Sequence, residues 1–246
     1  MTIEQKVTDS SQGIRAQPTA HVVGEQTAIP PLKPGDRLTR DEFEQRYAAM
    51  PHLKKAELIE GVVYMPSILR FDIHGEPHAD IMTWLGVYRV ATPGVRLGDN
   101  ATVHLDPNNE PQPDALLQIA ETHGGNSRLS DDGCIEGAPE LIMEIAGTSA
   151  DYDLHEKLEV YRCNGVQEYI VWRTQDERLD WFRLVEGEYV PLTPDEDGVI
   201  QSQMFPGLRL AVRALLEGNL AFVLSELQKG ISTAEHAAFV ARLSKT

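Results

Sequence analysis

Two acidic residues and one lysine have the types and the order that metal-dependent hydrolysis requires. Asp114 follows Pro113 at the start of a predicted strand, and Glu144 lies near the C-terminal end of an otherwise apolar strand. Two carboxylates that converge to about 4 Å repel each other unless a hard divalent cation lies between them. Lys157 follows on a helix, where an ammonium can orient water and stabilise charge on phosphorus. The three residues therefore suit phosphodiester hydrolysis with Mg²⁺ or Mn²⁺.

Each candidate also has an ordinary structural explanation. A strand-end glutamate is usually solvated, and a lysine at the edge of a helix usually lays its stem along apolar surface. Glu57, at the start of a predicted hairpin, and His78, at the start of a predicted helix, are second-tier candidates for the site. His74 and His78 have a zinc-like spacing, but Gly75 and Pro77 interrupt the helix that this spacing needs, so zinc is not favoured there.

The stretch from Pro139 to Trp172 predicts a strand, a loop, a helix and a second strand. Its first strand alternates polar and apolar residues, the period of a strand with two distinct faces. Its helix places Leu154, Leu158 and Tyr161 on one apolar face, with Lys157 at the edge of that face. A strand–helix–strand unit of this length favours a crossover in an α/β sheet.

The rest of the chain predicts an α/β (α+β) protein in three parts. Residues 1–36 are polar and Pro-rich at their end, which indicates a flexible arm. Residues 37–212 contain hairpins at 56–65 and 179–192, a helix at 77–91 and short strands at 95–97, 101–105 and 112–119. Residues 213–246 predict a helical extension for packing and oligomerisation. The polar, Gly-rich stretch 124–137 is expected to be an exposed loop.

Composition narrows the class of protein. The 246 residues include 22 Lys and Arg against 38 Asp and Glu, a net charge of −16. That excess of acid argues against broad electrostatic capture of nucleic acid, although it permits a local basic groove. Two cysteines make no disulfide framework, which indicates a reduced, cytoplasmic setting. Neither a membrane span nor an apolar signal core is expected.

Four segments resemble the Uma2 family of endonucleases in the restriction-endonuclease-like PD-(D/E)XK superfamily. They are AELIEGVVYMPS at 56–67, QPDALLQI at 112–119, ELIMEIAGTSADYDLHEKLEVYRCNGVQEYIVW at 140–172 and FPGLRL at 205–210. The resemblance implies a central mixed sheet flanked by helices, with the site at one end of the sheet. It assigns Asp114 and Glu144 as metal ligands and Lys157 as the catalytic lysine, because Ala146 stands where the superfamily motif has its lysine.

The leading hypothesis is a Mg²⁺-dependent endonuclease that acts on nucleic acid, with DNA as the expected substrate, and that forms a homodimer. Two alternatives stay open: a catalytically inactive binding or regulatory module with the same fold, and a structural homo-oligomer. Two further expectations follow from the sequence. Repulsion between Asp114 and Glu144 should destabilise the metal-free fold, and Lys157→Met should leave the fold intact.

Overall fold

The computed structural model describes residues 28–66 and 68–245, so most of the predicted arm lies outside the described residues. The helices are α1 (Arg40–Ala48), α2 (Glu76–Ala91), α3 (Ala150–Leu154), α4 (Glu156–Cys163), α5 (Val212–Leu216), α6 (Leu220–Ile231) and α7 (Ala234–Leu243). The strands are β1 (Glu57–Ile59), β2 (Val62–Tyr64), β3 (Val95–Asp99), β4 (Val103–His104), β5 (Ala115–Ile119), β6 (Arg128–Leu129), β7 (Ile135–Glu136), β8 (Leu141–Ala146), β9 (Glu168–Arg173), β10 (Arg178–Val185), β11 (Glu188–Pro191), β12 (Val199–Gln201) and β13 (Arg209–Ala211).

A six-stranded mixed sheet forms the centre of the molecule, in the order β11-β10-β9-β8-β5-β3. Strands β8 and β9 are parallel, and the other neighbours in this sheet are antiparallel. The central strands β5 and β8 are buried along their whole length, as expected of strands covered on both faces. Helices α3 and α4 connect the parallel pair, which confirms the crossover predicted from the sequence.

Alternate residues of the central strands face two separate apolar cores. On one face, Leu117, Met143 and Ile145 pack with α2 and the C-terminal helices. On the other face, Leu116 and Ile142 pack with α4 through Tyr161, Tyr169 and their neighbours. The predicted fold class, a mixed sheet flanked by helices with extra helices at the C-terminus, is therefore confirmed.

The helix after β8 differs from its prediction in its buried face. It is broken at His155, where φ is −120° and ψ is −77°, so α3 and α4 are separate helices. The buried side chains include Asp153 and Lys157, whereas Leu154 and Leu158 are only half-buried. The apolar pattern was misleading because ion pairs, which a hydropathy pattern does not reveal, compensate the burial of the charged residues.

The prediction of an exposed loop at residues 124–137 is wrong. This stretch contains β6 and β7, which form a three-stranded sheet with β4. Strand β7 pairs in parallel with β4 and in antiparallel with β6. Strands of two residues leave too short a pattern to be recognised among Gly, Asn, Ser and Asp.

The C-terminal helices pack against α2, which covers one face of the central sheet. His236 on α7 lies 3.0 Å from the hydroxyl of Thr92, at the end of α2, and Trp84 donates from its indole nitrogen to the carbonyl of Arg209. The division into parts at residues 36 and 212 stays a prediction. Within the described part of the chain, none of the helices has the length and apolar content that a membrane span requires.

Two helical glycines lead to opposite expectations for replacement by alanine. A Cβ on Gly230 would lie 2.1 Å from the carbonyl oxygen of Gly207, whereas a Cβ on Gly86 would meet only Leu97, at 4.0 Å. Gly230→Ala should therefore lower the free energy of unfolding by about 1–3 kcal/mol. Gly86→Ala should raise it by roughly 0.5–1 kcal/mol, because alanine loses less backbone entropy in a helix. Urea denaturation of both variants tests this, and equal effects would contradict the close approach of α6 to Gly207.

Candidate active site

Asp114 and Glu144 lie on one face of the sheet. Strands β5 and β8 pair at Ala115 and Met143, and each acid is one residue beyond that pair. The antiparallel register therefore places the two acids opposite each other, where Cβ atoms are typically about 4.5–5.5 Å apart. The two carboxylates can therefore converge, as a shared cation would require. Asp114 and Glu144 are each 3% exposed, so neither is the solvated strand-end carboxylate of the ordinary explanation.

Asp114 is held by groups that favour its ionised form. Its Oδ2 accepts a hydrogen bond of 2.8 Å from the backbone N–H of Ile145, and its Oδ1 accepts one of 3.1 Å from the ammonium of Lys55. The Nε2 atom of His74 lies 3.6 Å from the same Oδ1. Burial would raise the pKa of Asp114, but Lys55, then His74 and the Ile145 N–H, outweigh it and lower that pKa. Asp114 is therefore a charged carboxylate.

Lys157 lies in the centre of a buried group of acids. Its ammonium donates to Glu144 Oε1 at 2.7 Å and to Glu57 Oε1 at 2.9 Å, and lies 4.0 Å from Asp153 Oδ1. The side chain is only 3% exposed, so the expected position at the edge of the helix is wrong. Glu57 also accepts a hydrogen bond from the backbone N–H of Gln112, which fixes it beside Lys157.

Burial opposes full ionisation of this acidic group. Burial raises the pKa of Glu144 to about 8; Lys157 offsets part of that effect, and the charges of Asp114 and Asp153 add to it. Burial would lower the pKa of Lys157, but Glu144, Glu57 and Asp153 raise it well above its ordinary value. Lys157 is therefore charged, and the carboxylates around it outnumber the single ammonium that compensates them.

The expected repulsion between Asp114 and Glu144 acts on Glu144 in the metal-free fold, but two lysines offset it. Lys55 pairs with the first acid, and Lys157 pairs with the second while it also bonds Glu57. An ion pair that is already formed stabilises the metal-free state, and removal of one partner leaves the other charge uncompensated.

Lys55, His74, Asp153 and Tyr161 were not predicted from the sequence as site residues. Lys55 precedes Glu57 by two positions in an extended segment, and side chains two apart on a strand point the same way. That spacing was the available signal for Lys55. Tyr161, which was assigned to the apolar face of its helix, donates its hydroxyl to Glu144 Oε1 at 2.9 Å.

His78 lies at the rim of the site. Its Nε2 is 3.0 Å from the backbone carbonyl of Asp114 and 3.3 Å from the carboxylate of Asp99. His78 thus faces the sheet as expected, but it contacts the backbone of Asp114 and not its carboxylate. His74 is nearer to the acids, because its Nε2 lies 3.6 Å from Asp114 Oδ1. Its Nδ1 lies 3.1 Å from the carbonyl oxygen of Ile145.

The acids and both lysines open into a cavity of about 490 Å³. Its charged lining comprises Lys55, Glu57, Arg70, His74, Asp114, Glu144, Asp153 and Lys157. The segment before α2 forms part of the wall, and its Ile68 and Leu69 are exposed. A cavity of this size that combines apolar walls with a few convergent charged groups is a typical ligand site.

The donor set at this site suits a hard divalent cation. Asp114 and Glu144 offer carboxylate oxygens, which Mg²⁺ and Mn²⁺ prefer to nitrogen or sulfur. The ammonium groups of Lys55 and Lys157 already donate hydrogen bonds to Asp114 and Glu144. An ion would therefore compete with them for the carboxylate oxygens. Among the described residues, the groups of three or more closely spaced metal-type donors lie elsewhere, around His104.

A family model and a solved structure are similar to this chain. The model of the Uma2 family, described as "Putative restriction endonuclease", matches residues 40–213. A crystal structure of a putative nuclease belonging to DUF820, from Anabaena variabilis ATCC 29413, resembles the chain with a TM-score of 0.54. The two are 15% identical, and the match covers 73% of this chain and 98% of the other. At that identity the likeness concerns the fold. No curated protein matches the sequence.

Proposed function

The chain belongs to the Uma2 family of restriction-endonuclease-like proteins, and from this membership we propose that it hydrolyses phosphodiester bonds of nucleic acid with the help of a divalent cation. The observation that carries the proposal is the pairing of Asp114 with Glu144, side by side on two buried strands, in a cavity that also holds two lysines. Nucleic acid is the substrate class, with DNA as the first substrate to examine.

Asp114 and Glu144 would hold Mg²⁺ or Mn²⁺ through their carboxylate oxygens. When bound there, such an ion activates water and neutralises charge that develops on a phosphoryl group. Asp114 is ready for this role because it is ionised, and the Ile145 N–H fixes one of its two oxygens. Glu144 is oriented by Lys157 and Tyr161.

Lys55 and Lys157 have different roles in this proposal, whereas the sequence assigned the catalytic lysine to Lys157 alone. Lys157 bonds Glu57 and Glu144 and is almost without exposure, so its role is to position these carboxylates. Lys55 is 17% exposed and lies at the cavity wall beside Asp114. Its ammonium can turn from Asp114 to a phosphate oxygen and stabilise negative charge on it. Lys55 is therefore the better candidate for contact with substrate.

Wild-type protein is expected to cleave DNA or RNA only when Mg²⁺ or Mn²⁺ is present. The assay uses single- and double-stranded substrates of both kinds with EDTA as the blank. Lys55→Met should lower metal-dependent cleavage by about 10²–10³, the usual effect of removing one group that stabilises transition-state charge. Circular dichroism should show a folded variant, since Asp114 keeps its bond from Ile145.

Lys54→Met is the matched control, because Lys54 is the exposed neighbour of Lys55 and does not line the cavity. It should cleave at the wild-type rate. A Lys55→Met variant within a few-fold of wild type would remove Lys55 from the reaction. A folded wild-type chain that cleaves none of the substrates with either ion would favour the inactive binding module.

A further inference from the structure

A second group of metal-type side chains lies outside the cavity, where α1 meets the small sheet of β4, β6 and β7. The group, called here the His104 cluster, consists of Glu44, His104, Glu110, Asp132 and Cys134. Ligand atoms of Glu44, His104 and Glu110 all lie within 4.8 Å of one another, and so do those of His104, Asp132 and Cys134. None of the five lines the active-site cavity.

The distances within the cluster match those between ligands of one ion. His104 Nε2 lies 3.8 Å from Glu110 Oε2 and 3.9 Å from Glu44 Oε1. Both separations are longer than a hydrogen bond, so these atoms face one another without bonding. Ligand atoms at ~2.0–2.2 Å from a tetrahedral ion lie ~3.4 Å apart, which a small shift of these side chains would reach.

Glu110 supplies an independent observation. It is 3% exposed, and its Oε2, the oxygen that faces His104, is buried and has no hydrogen-bond partner in the described structure. A buried carboxylate oxygen without a partner is costly, and such groups are rare in native proteins. The Arg40 guanidinium lies 3.1 Å from Glu44 and its charge offsets part of the effect of burial on the pKa of Glu110, but it does not hydrogen-bond this oxygen.

Cys134 gives the cluster its chemical character. It stands immediately before β7, half-buried, and its ligand atom lies near His104 and Asp132. Thiolate and imidazole ligands select zinc and similar transition ions, whereas Mg²⁺ prefers oxygen ligands alone. An ion at this place would therefore belong to a different class from the one expected between Asp114 and Glu144.

We propose that the His104 cluster binds Zn²⁺ or a chemically similar divalent transition ion through His104, Glu44 and Glu110, with Cys134 as a further ligand. The ion ties helix α1 to the segment from 128 to 136 and to the chain beside β1, where Glu110 pairs with Leu58. Helix α1 and β1 share one apolar core, through Phe43 and Leu58, whereas Ile135 of β7 belongs to another, so the ion joins the two. The ion's role is structural, because the cluster is separate from the cavity that holds the catalytic acids.

Full-length protein stripped with a chelator and then titrated with ZnCl₂ tests the site by calorimetry and thermal unfolding. One Zn²⁺ per chain should bind and raise the Tm. Glu110→Gln and His104→Gln should each weaken Zn²⁺ binding by at least ~100-fold, since loss of a ligand costs no less than loss of a group that orients one. Asp114→Asn, at the other site, should bind Zn²⁺ at the His104 cluster as the wild type does.

CoCl₂ tests the thiolate, because cobalt bound to a cysteine gives a charge-transfer band in the near ultraviolet. The band should appear in the wild type and in Cys163→Ser, the exposed control, and vanish in Cys134→Ser. Retention of the band in Cys134→Ser overturns the role of Cys134. Zn²⁺ affinity that is unchanged in Glu110→Gln and His104→Gln overturns the site. A stripped wild type that binds no Zn²⁺, together with a Glu110→Gln variant more stable than that wild type, would mean that Glu44 and Glu110 share only a proton.

Discussion

Lys157→Met is expected to lower the free energy of unfolding by about 3–5 kcal/mol, the usual cost of removing one partner from a buried ion pair. The ammonium bonds Glu144 and Glu57 directly and lies close to Asp153, and all of these side chains are buried. Methionine keeps the apolar stem but leaves the acids without compensation. Because whole domains are stable by only about 5–15 kcal/mol, this loss is large.

Arg213→Met provides the control for this measurement. Arg213 also lies on a helix and pairs with a glutamate, Glu217, but the two side chains are 88% and 57% exposed. Surface pairs contribute at most about 1 kcal/mol, so this variant should unfold close to the wild type in urea. Equal losses in the two variants would show that Lys157 adds nothing beyond a surface ion pair.

The deficit of Lys157→Met should also depend on pH. Burial already raises the pKa of Glu144 to about 8 in the wild type, and loss of the ammonium removes the main group that opposes this rise. An acid with a raised pKa binds more protons when folded than when unfolded, so its contribution to stability is lost as pH rises towards that pKa. The wild type stops losing this contribution above about pH 8, whereas the variant, with a still higher pKa, goes on losing it, so the deficit should be larger at pH 9.5 than at pH 7. A deficit that grows on acidification would contradict this assignment.

These expectations replace the one drawn from the sequence, that Lys157→Met leaves the fold intact. A helical wheel places Lys157 beside the apolar face but does not show which side chains meet it. Glu57 lies 100 positions away in sequence, on β1, and only the folded chain brings it to 2.9 Å from the ammonium. The long-range partner decides whether this lysine lies at a surface or in a core.

The sequence predicts the long strands and helices better than it predicts the residues of the candidate site. Strong periodicity marked β8, α2 and the hairpin of β10 and β11, because long elements with one buried face repeat the same signal several times. Strands β6 and β7 offered no such repetition. Asp114 and Glu144 were found because charged residues in apolar strands are conspicuous. Lys55 was missed because it lies before β1 next to a second lysine, Lys54, and the local pattern does not show which of the two faces the site.

Asp114→Asn is expected to lower metal-dependent cleavage by at least about 10²–10³, because it removes one of the two carboxylates that would hold the ion. Stabilisation of the fold by Mg²⁺ or Mn²⁺ at this site should disappear with it. Cleavage assays and thermal unfolding with and without each ion measure both effects. Asp197→Asn, the same change at an exposed acid outside the cavity, should behave as the wild type.

The stability of Asp114→Asn without metal distinguishes repulsion by Glu144 from the ion pair with Lys55. Relief of repulsion, the expectation from the sequence, would leave its stability unchanged or raised. The contacts of Asp114 indicate a loss instead, because the asparagine oxygen can still accept from the Ile145 N–H but no longer offers a negative charge to Lys55. Loss of one hydrogen bond to a charged group should cost about 1–3 kcal/mol. If Asp114→Asn is more stable than wild type without metal, the ion pair with Lys55 is not what holds this carboxylate, and repulsion from Glu144 dominates the site.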